Sequence, residues 1–331
     1  MNNNVIKSKK EIDVNSHLIS LNDFSSSSQK EIKSINSTNF LLLYQDKDSF
    51  NKNTERSSKR TNGQSKSFTG IQSLSFIGKK DKAGNKNGFG IQKWKDGSTY
   101  EGNFINNKAE GWGRFYYSDG DIYKGSFEND ITKGYGEYYH NREVIYYGYW
   151  LDDVQFGIGY EIWVESSKYF GNYKNGKKDG IGTYIWEDKT RYEGEWKDNI
   201  REGFGIYYFK KGRIYKGEFK NNIINGYGEF SLGTGKKYYG FYKNGKKDGF
   251  GIYYWPGDKF YVGFFKEDKQ HGIGKYINLN QIKYCRWKNG KIETIFLNEE
   301  QFFNYFVPNE KIFSKNFKWD IKQIKEFMEI K

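Results

Sequence analysis

Two stretches of this sequence come close to a phosphate-binding loop. Gly171 to Lys177 and Gly240 to Lys246 each spell glycine, four residues, glycine, lysine, overlapping an octapeptide, YKNGKKDG, that stands at 173–180 and returns at 242–249. In such a loop backbone N–H groups and the lysine cradle phosphates, and a Ser or Thr after the lysine holds Mg²⁺. A strand must lead in and a helix must lead out. Here the residue after the lysine is Lys178 in one copy and Lys247 in the other. The run then continues DGIG or DGFG, a glycine pair that disfavours a helix start. The nucleotide reading fails on both counts.

Other chemistry is equally thin. A single cysteine, Cys285, excludes an internal disulfide and a multi-thiolate metal site and points to a reducing compartment. His17, His140 and His271 fall in different segments, which gives no metal-ligand spacing. Glu193 and Glu195 stand two apart beside lysines and suit a solvated face. No Ser/His/Asp or Cys/His arrangement recurs. The expected class is non-enzymatic, without cofactor or metal.

The elements that hold these residues are announced by composition. Of 331 residues a fifth are aromatic, 39 are glycine and two are proline. Tyr and Phe must supply most of the apolar surface, in a thin β structure that tolerates glycine. Residues 1–70 hold two of the glycines, one tyrosine and no tryptophan, and are rich in Ser, Asn and Lys. This gives an expected disordered tail over 1–72. Residues 292–331 have no glycine. There Asn298 with Gln301 reads as a capping-box variant opening a helix, Pro308 breaks it, and Asp320 caps a last one. These helices, an expected C-terminal cap over 292–331, would cover an open sheet edge or serve as an amphipathic hook for a partner or membrane. The N-terminus shows no secretory apolar run, and Phe40–Tyr44 is too short to cross a bilayer. The expectation is a protein that is not secreted, has no transmembrane segment and lies in the cytoplasm.

The two copies of the octapeptide lie 69 residues apart, three times 23, and that period organises residues 73–291. Tyrosine recurs at Tyr100, Tyr123, Tyr146, Tyr169, Tyr192, Tyr215, Tyr238 and Tyr261, and again at Tyr284. Two residues on comes Gly102, Gly125, Gly148, Gly171, Gly194, Gly217, Gly240 and Gly263, and two further an aromatic, from Phe104 to Phe265. Tyrosine, glycine and aromatic at spacing two share one face of a strand. A second strand follows as Gly-x-Gly-x-aromatic. Between them sit pairs such as Asn106-Asn107, Asp198-Asn199 and Asn244-Gly245, residues that accept the positive φ of a type I′ hairpin turn. Each 23-residue unit is therefore a β-hairpin, and hairpins bury their rings by stacking on their neighbours. The octapeptide is one rung of this ladder. Beyond Tyr284, Arg286 falls at the glycine position, and Trp287, Asn289 and Gly290 match after a one-residue deletion.

The pattern, cleanest as YEGEWKDNIREGFGIYYF at 192–209, resembles the MORN repeat family over roughly residues 76–290. The resemblance implies an all-β fold, an elongated single-layer antiparallel sheet of stacked hairpins. It also implies a scaffold or adaptor at the cytoskeleton, the membrane periphery or the axoneme of a cilium or flagellum, binding protein partners and anionic phospholipid. The alternative of another class is a phosphoinositide-binding regulatory module that recruits an enzyme. Open strand edges lead to the expectation of a homo-oligomer, a dimer.

One surface feature is written into the period. Lys174, Lys197, Lys220, Lys243 and Lys266 follow the strand aromatic by one residue in five consecutive repeats, where the first three carry Ile105, Glu128 and Leu151. Column neighbours two strands apart stand about 9–10 Å from one another. Lys177, Lys178, Lys246 and Lys247 thicken the column at the hairpin tips. Residues 1–70 carry 11 basic and 7 acidic side chains, which leaves +9 of the net +13 to the rest. One reading is solubility and protection of a long sheet; the other is a strip for an anionic surface, whether a phosphoinositide membrane, an acidic polymer or an acidic partner. Nucleic acid is not expected, because the basic residues are interspersed with Asp and Glu and no recognised motif occurs.

Overall fold

A computed structural model describes residues 70–141, 143–279 and 281–306. The expected N-terminal tail up to residue 69, and everything after Phe306 including the helix expected from Asp320, lie outside the described residues. Among the described residues twenty strands run from β1 (Ser73–Lys80) to β20 (Lys291–Phe296) in one antiparallel sheet. Each strand pairs with the strand before and the strand after it in sequence. The chain is a meander of hairpins, as the 23-residue period requires.

A single layer must find its core within itself. The hairpin of β11 (Arg191–Lys197) and β12 (Ile200–Tyr208) shows how. Tyr192 lies flat across the glycines of its own and the next strand. A Cβ on Gly194 would fall 2.5 Å from the Gly205 Cα and 2.6 Å from the Tyr192 hydroxyl, so only glycine fits under the ring. Pairing runs Gly194↔Gly205 and then jumps to Trp196↔Arg201, a bulge that takes Glu195 out of the ladder. The Tyr192 hydroxyl donates to the Glu195 carbonyl at 2.9 Å. The same tyrosine-to-carbonyl bond, three residues along the strand, recurs for Tyr100, Tyr123, Tyr146, Tyr169, Tyr215, Tyr238 and Tyr261. Buried hydroxyls are thus satisfied, as burial demands. All eight rings are shut off from solvent.

Neighbouring rings lock the repeats together on this front face. Tyr192 meets Trp196 of its own strand edge-on at 5.3 Å and Phe219 of the next repeat edge-on at 5.1 Å. Tyr169–Trp196 and Tyr215–Tyr242 repeat the contact at 5.5 and 5.4 Å. Edge-to-face pairs of this kind add about 0.5–1.5 kcal/mol each beyond burial.

The hairpin tips are type I′ turns. Both central residues have positive φ at Asn106/Asn107, Asn129/Asp130, Asp152/Asp153, Asn175/Gly176, Asp198/Asn199, Asn221/Asn222, Asn244/Gly245 and Glu267/Asp268. The second turn residue also clips its hairpin to the preceding one. Its N–H donates to a carbonyl 21 residues earlier, as from Asn199 to Lys178, and its side chain accepts that residue's N–H at 2.8 Å. Gly176 and Gly245 keep the backbone half of the clip and lack the side-chain half. The repeated octapeptide therefore marks two of the tips where the turn takes glycine, Asn289-Gly290 being another.

The ends depart from the pattern. At the start, Phe76 takes the tyrosine position with its ring against Gly90, and Gly78 faces Gly90. The turn at 81–85, longer than the two-residue tips, is closed by the Asp81 carboxylate, which accepts from the backbone N–H groups of Ala83 and Asn85. At the other end two expectations are corrected. Tyr276 pairs with Lys283, a separation of seven where Tyr253 and Tyr261 are separated by eight. That one-residue slip turns every following side chain to the opposite face. Tyr284 is therefore not part of the buried column, and Cys285, not Arg286, faces Gly274 at the glycine position. Trp287 does take the aromatic position, 5.7 Å from Tyr261. The sheet also runs past Lys291. The Asn289-Gly290 turn leads into β20, pinned by Arg286–Glu293 at 3.2 Å, in a stretch whose lack of glycine reads as helical.

The helix α1 (Glu299–Phe306) follows. Asn298 accepts the Gln301 N–H at 2.9 Å, and the Gln301 side chain accepts from the Leu297 N–H at 3.0 Å. This is the reciprocal cap expected from the sequence. Phe302 packs on Tyr284 at 5.2 Å and on Phe296 at 5.6 Å. The slipped Tyr284 supplies the seat for the helix.

Candidate functional site

The two near-matches to a phosphate loop, rejected from the sequence, are hairpin tips. Gly171 and Gly240 lie beneath tyrosine rings in mid-strand, and two-residue turns with no helix after them carry Asn175 and Asn244. No anion cradle forms there.

The nine candidate lysines divide into three groups. Lys174, Lys197, Lys220, Lys243 and Lys266 are all exposed, and among the described residues none of them forms an ion pair. They lie on the back face, opposite the tyrosine column, since each follows the buried front-face aromatic by one residue. Lys177 and Lys246 sit across the turn from Lys174 and Lys243, but each has a carboxylate: Asp198 at 3.0 Å and Glu267 at 3.7 Å. The Lys177 ammonium holds the exposed Asp198 carboxyl below its ordinary range, and Lys197 and Lys174 act in the same direction.

Lys178 and Lys247 belong elsewhere, which corrects their assignment to the tip cluster. The residue beyond a tip lysine points to the opposite face, so both turn to the front. Lys178 Nζ lies 2.8 Å from the buried Glu161 carboxylate and 4.8 and 4.9 Å from the Trp163 and Tyr169 rings. Lys247 is held by Asp268 at 3.2 Å and lies 5.6 Å from the Tyr238 ring. One repeat on from Lys178, Arg201 occupies the same place among Trp186, Tyr192, Tyr207 and Phe219, at 5.4 to 5.7 Å. Desolvation lowers its pKa from the ordinary value. These cations brace the aromatic face.

Beside them runs a ladder of half-buried rings: Trp163–Tyr184 at 5.4 Å, Tyr184–Trp186 at 4.6 Å, Trp186–Tyr207 at 5.2 Å, Tyr207–Phe209 at 4.3 Å and Phe209–Phe230 at 5.6 Å. A platform of rings edged by a guanidinium suits an extended chain bearing apolar and acidic groups.

A third feature was not singled out from the sequence. The residue between the two glycines of each Gly-x-Gly points to the back face and is apolar in every repeat: Phe89, Trp112, Tyr135, Ile158, Ile181, Phe204, Tyr227, Phe250 and Ile273. The first four are 53%, 54%, 44% and 42% exposed, whereas Ile181, Phe250 and Ile273 are 8%, 2% and 3% exposed. Its 23-residue recurrence was the available signal, masked by reading these positions as strand spacers.

One polar constellation does assemble. The buried Asp121 carboxylate accepts from the Tyr138 hydroxyl at 2.6 Å and the Asn141 N–H at 3.0 Å, and lies 3.0 Å from His140 Nδ1. Burial pushes its pKa up, but the hydrogen bonds from Tyr138 and His140 outweigh this and hold the carboxyl below its ordinary value. The cluster ties down the loop between β5 (Ile122–Glu128) and its neighbours, and no nucleophile stands in it. Among the described residues no group of three His, Cys, Asp or Glu could hold a metal ion, and no helix is long and apolar enough to cross a membrane.

A family model described as MORN repeat matches eight segments: residues 82–99, 100–122, 123–141, 169–191, 192–212, 215–237, 238–258 and 261–278. The stretch 142–168 is not matched, although Tyr146 and Trp150 hold the same buried places there. No curated protein matches the chain. Among solved structures it is similar to the wild-type TCP10 domain of Danio rerio CPAP, at 11% identity and a TM-score of 0.36, over 62% of this chain and 98% of that one. It is also similar to the TCP domain of Drosophila melanogaster SAS-4 (dCPAP), solved in complex with a proline-rich motif of Ana2 (dSTIL). There the identity is 15% and the TM-score 0.32, over 57% of this chain and 99% of that one. Neither likeness is close enough to carry a function across.

Proposed function

Given that the chain belongs to the MORN-repeat family, we propose that it is a non-enzymatic scaffold that docks on an anionic surface, an acidic phospholipid membrane, through its lysine row. The observation that carries this reading is the set Lys174, Lys197, Lys220, Lys243 and Lys266: one face, one period, all exposed, none ion-paired among the described residues. Lysines outside ion-pair distance of any carboxylate retain an attraction for an outside anion, reduced at Lys174 and Lys197 by the nearby Asp198. Each near-surface lysine contributes about 1 kcal/mol at an anionic leaflet, so five give weak, salt-sensitive binding. The setting that fits is the cytoplasmic side of a membrane or the cytoskeleton beneath it.

Vesicle flotation tests this. The wild-type chain is expected to float with phosphatidylserine or phosphoinositide vesicles at low salt and to release as salt rises. Replacing the five lysines by Glu should abolish flotation and leave the melting temperature nearly unchanged, while changing Ile105, Glu128 and Leu151 should not matter. A wild-type chain that ignores these vesicles at low salt overturns the proposal.

A second reading concerns the front face. The ladder from Trp163 to Phe230 with Arg201 at its edge favours a protein segment as a further partner. Trp186→Ala should release such a partner and leave vesicle binding intact, which a pull-down paired with flotation would separate.

A further inference from the structure

The back face changes character along the sheet. At its N-terminal end Phe89, Trp112, Tyr135, Tyr149 and Ile158 are all between 42% and 54% exposed, on strands β2 (Lys86–Trp94) to β8 (Val154–Trp163). Their neighbours along the hairpin tips, Ile105 and Ile131, are exposed as well. The row is apolar but for Asn103 and Ser126 on the intervening strands, and a sheet face with so much apolar surface is buried against another layer. We propose that this N-terminal back face is the interface between two copies of the chain, stacked face to face. The inference is independent of the lysine-row reading, which concerns residues 174–266.

Area and charge both select a second copy. Half-exposed side chains of this number and size present on the order of 700 Å² per copy, above an ordinary monomer's largest patch and close to the 800 Å² per partner of a standard interface. The composition, Trp, Tyr and Phe at the centre with charges at one side, is that of an interface core. The face is also self-complementary. A two-fold axis along β5 exchanges β4 (Lys108–Tyr116) with β6 (Ile131–His140). Trp112 of each copy then meets Tyr135 of the other, with the small Ser126, which pairs with Trp112 within the sheet, at the axis. Two positions further along the same strands, Arg114 lies opposite Glu137 of the other copy, twice, with Lys124 of each copy between them at the axis, its ammonium 4.5 Å over its own Tyr139 ring, whose hydroxyl donates to Glu137 at 2.7 Å. Arg114 is exposed and has no ion pair among the described residues, and Glu137 is half-buried. Stacked sheets stand about 10 Å apart, within reach of an arginine and a glutamate extended towards each other.

The test uses the full chain in sedimentation velocity from about 1 to 100 μM, a range chosen to bracket ordinary homodimer affinities. The wild type is expected to dimerise. Trp112→Glu should weaken the dimer by about tenfold or more, as loss of a central aromatic does. Arg114→Glu and Glu137→Arg should each weaken it, and the two together should restore it, a rescue that no misfolded variant can imitate. A wild type that stays monomeric throughout overturns the proposal. So does a dimer untouched by Trp112→Glu and Arg114→Glu, which would place self-association at the open edges of β1 or β20. If Trp112→Glu fails to fold, the charge exchange decides alone: no recovery in the double variant counts against the interface.

Discussion

The N-terminal and C-terminal repeats share one front face and differ on the back. From Tyr100 to Tyr261 each buried tyrosine makes the same bonds over the same glycines. On the back, the Gly-x-Gly apolar residue is about half exposed at Phe89 and Trp112 and sealed at Phe250 and Ile273. The tip row runs Ile105, Glu128, Leu151 in the first part and lysine in the second. The front face holds each hairpin to the next and cannot vary. The back face is free of that duty and is where the repeats have diverged, which makes it the face to search for function.

The comparison can be broken most severely on the front. A buried tyrosine ring of about 150 Å² or more is worth up to roughly 3–4 kcal/mol at 25 cal/mol/Å². Tyr123→Ala and Tyr215→Ala should therefore be equally and strongly destabilising in denaturant unfolding. Unequal penalties would mean that the column is not one continuous core. Titration probes the same rings together. Desolvation raises the hydroxyl pKa of every column tyrosine, from Tyr100 to Tyr261. The unfolded chain ionises near 10, so the stability they contribute is intact below that pH and is lost as pH rises above it. Absorbance at 295 nm should show them titrating only with unfolding.

A smaller effect sharpens the contrast on the back. Phe250→Ser removes a buried ring and should cost about 2–3 kcal/mol, whereas Phe89→Ser should change the stability of the monomer by about 0.5 kcal/mol or less. Thermal melts of the two, at a concentration too low for self-association, decide it. Equal costs would erase the distinction between the halves.

The smallest effect lies at the tips. Asn199→Gly deletes the 2.8 Å side-chain clip to the Lys178 N–H and should cost about 0.5–1.5 kcal/mol. Gly176→Asn, at φ 73 in a turn where other repeats place Asn, should supply the missing clip and stabilise by a similar amount. Chemical denaturation would catch either sign.

What the sequence made legible follows from these physical roles. Residues under a strict local demand, such as Gly194 under Tyr192, or Asn199 at a positive φ that only Asn, Asp or Gly fills in the other full repeats, recur at a fixed spacing and reveal the period at once. The slip at Tyr284 was harder, because a one-residue loop difference leaves the tyrosine in numerical register while turning it to the other face. Lys178 and Lys247 were grouped with Lys177 and Lys246 because they are adjacent in sequence, and adjacency in a strand means opposite faces. The back-face column was overlooked for a related reason: Phe, Trp, Tyr and Ile alternate there, and a position conserved only in being apolar is quiet beside one that is always tyrosine.

The meander has a consequence for how the chain comes to be folded. All-β domains usually fold slowly, since their strands pair across long stretches of chain. Here each strand pairs only with its sequence neighbours, and the rings and clips reach no further than the adjoining repeat. Loop-closure entropy is therefore small at every step, and the contact order resembles that of a helical protein. Once a first few hairpins have left the ribosome they can already pack, and each further 23 residues extend a surface that is waiting for them. Structure should grow from the N-terminus as the chain is made, with the slipped repeat and α1 added after the regular repeats.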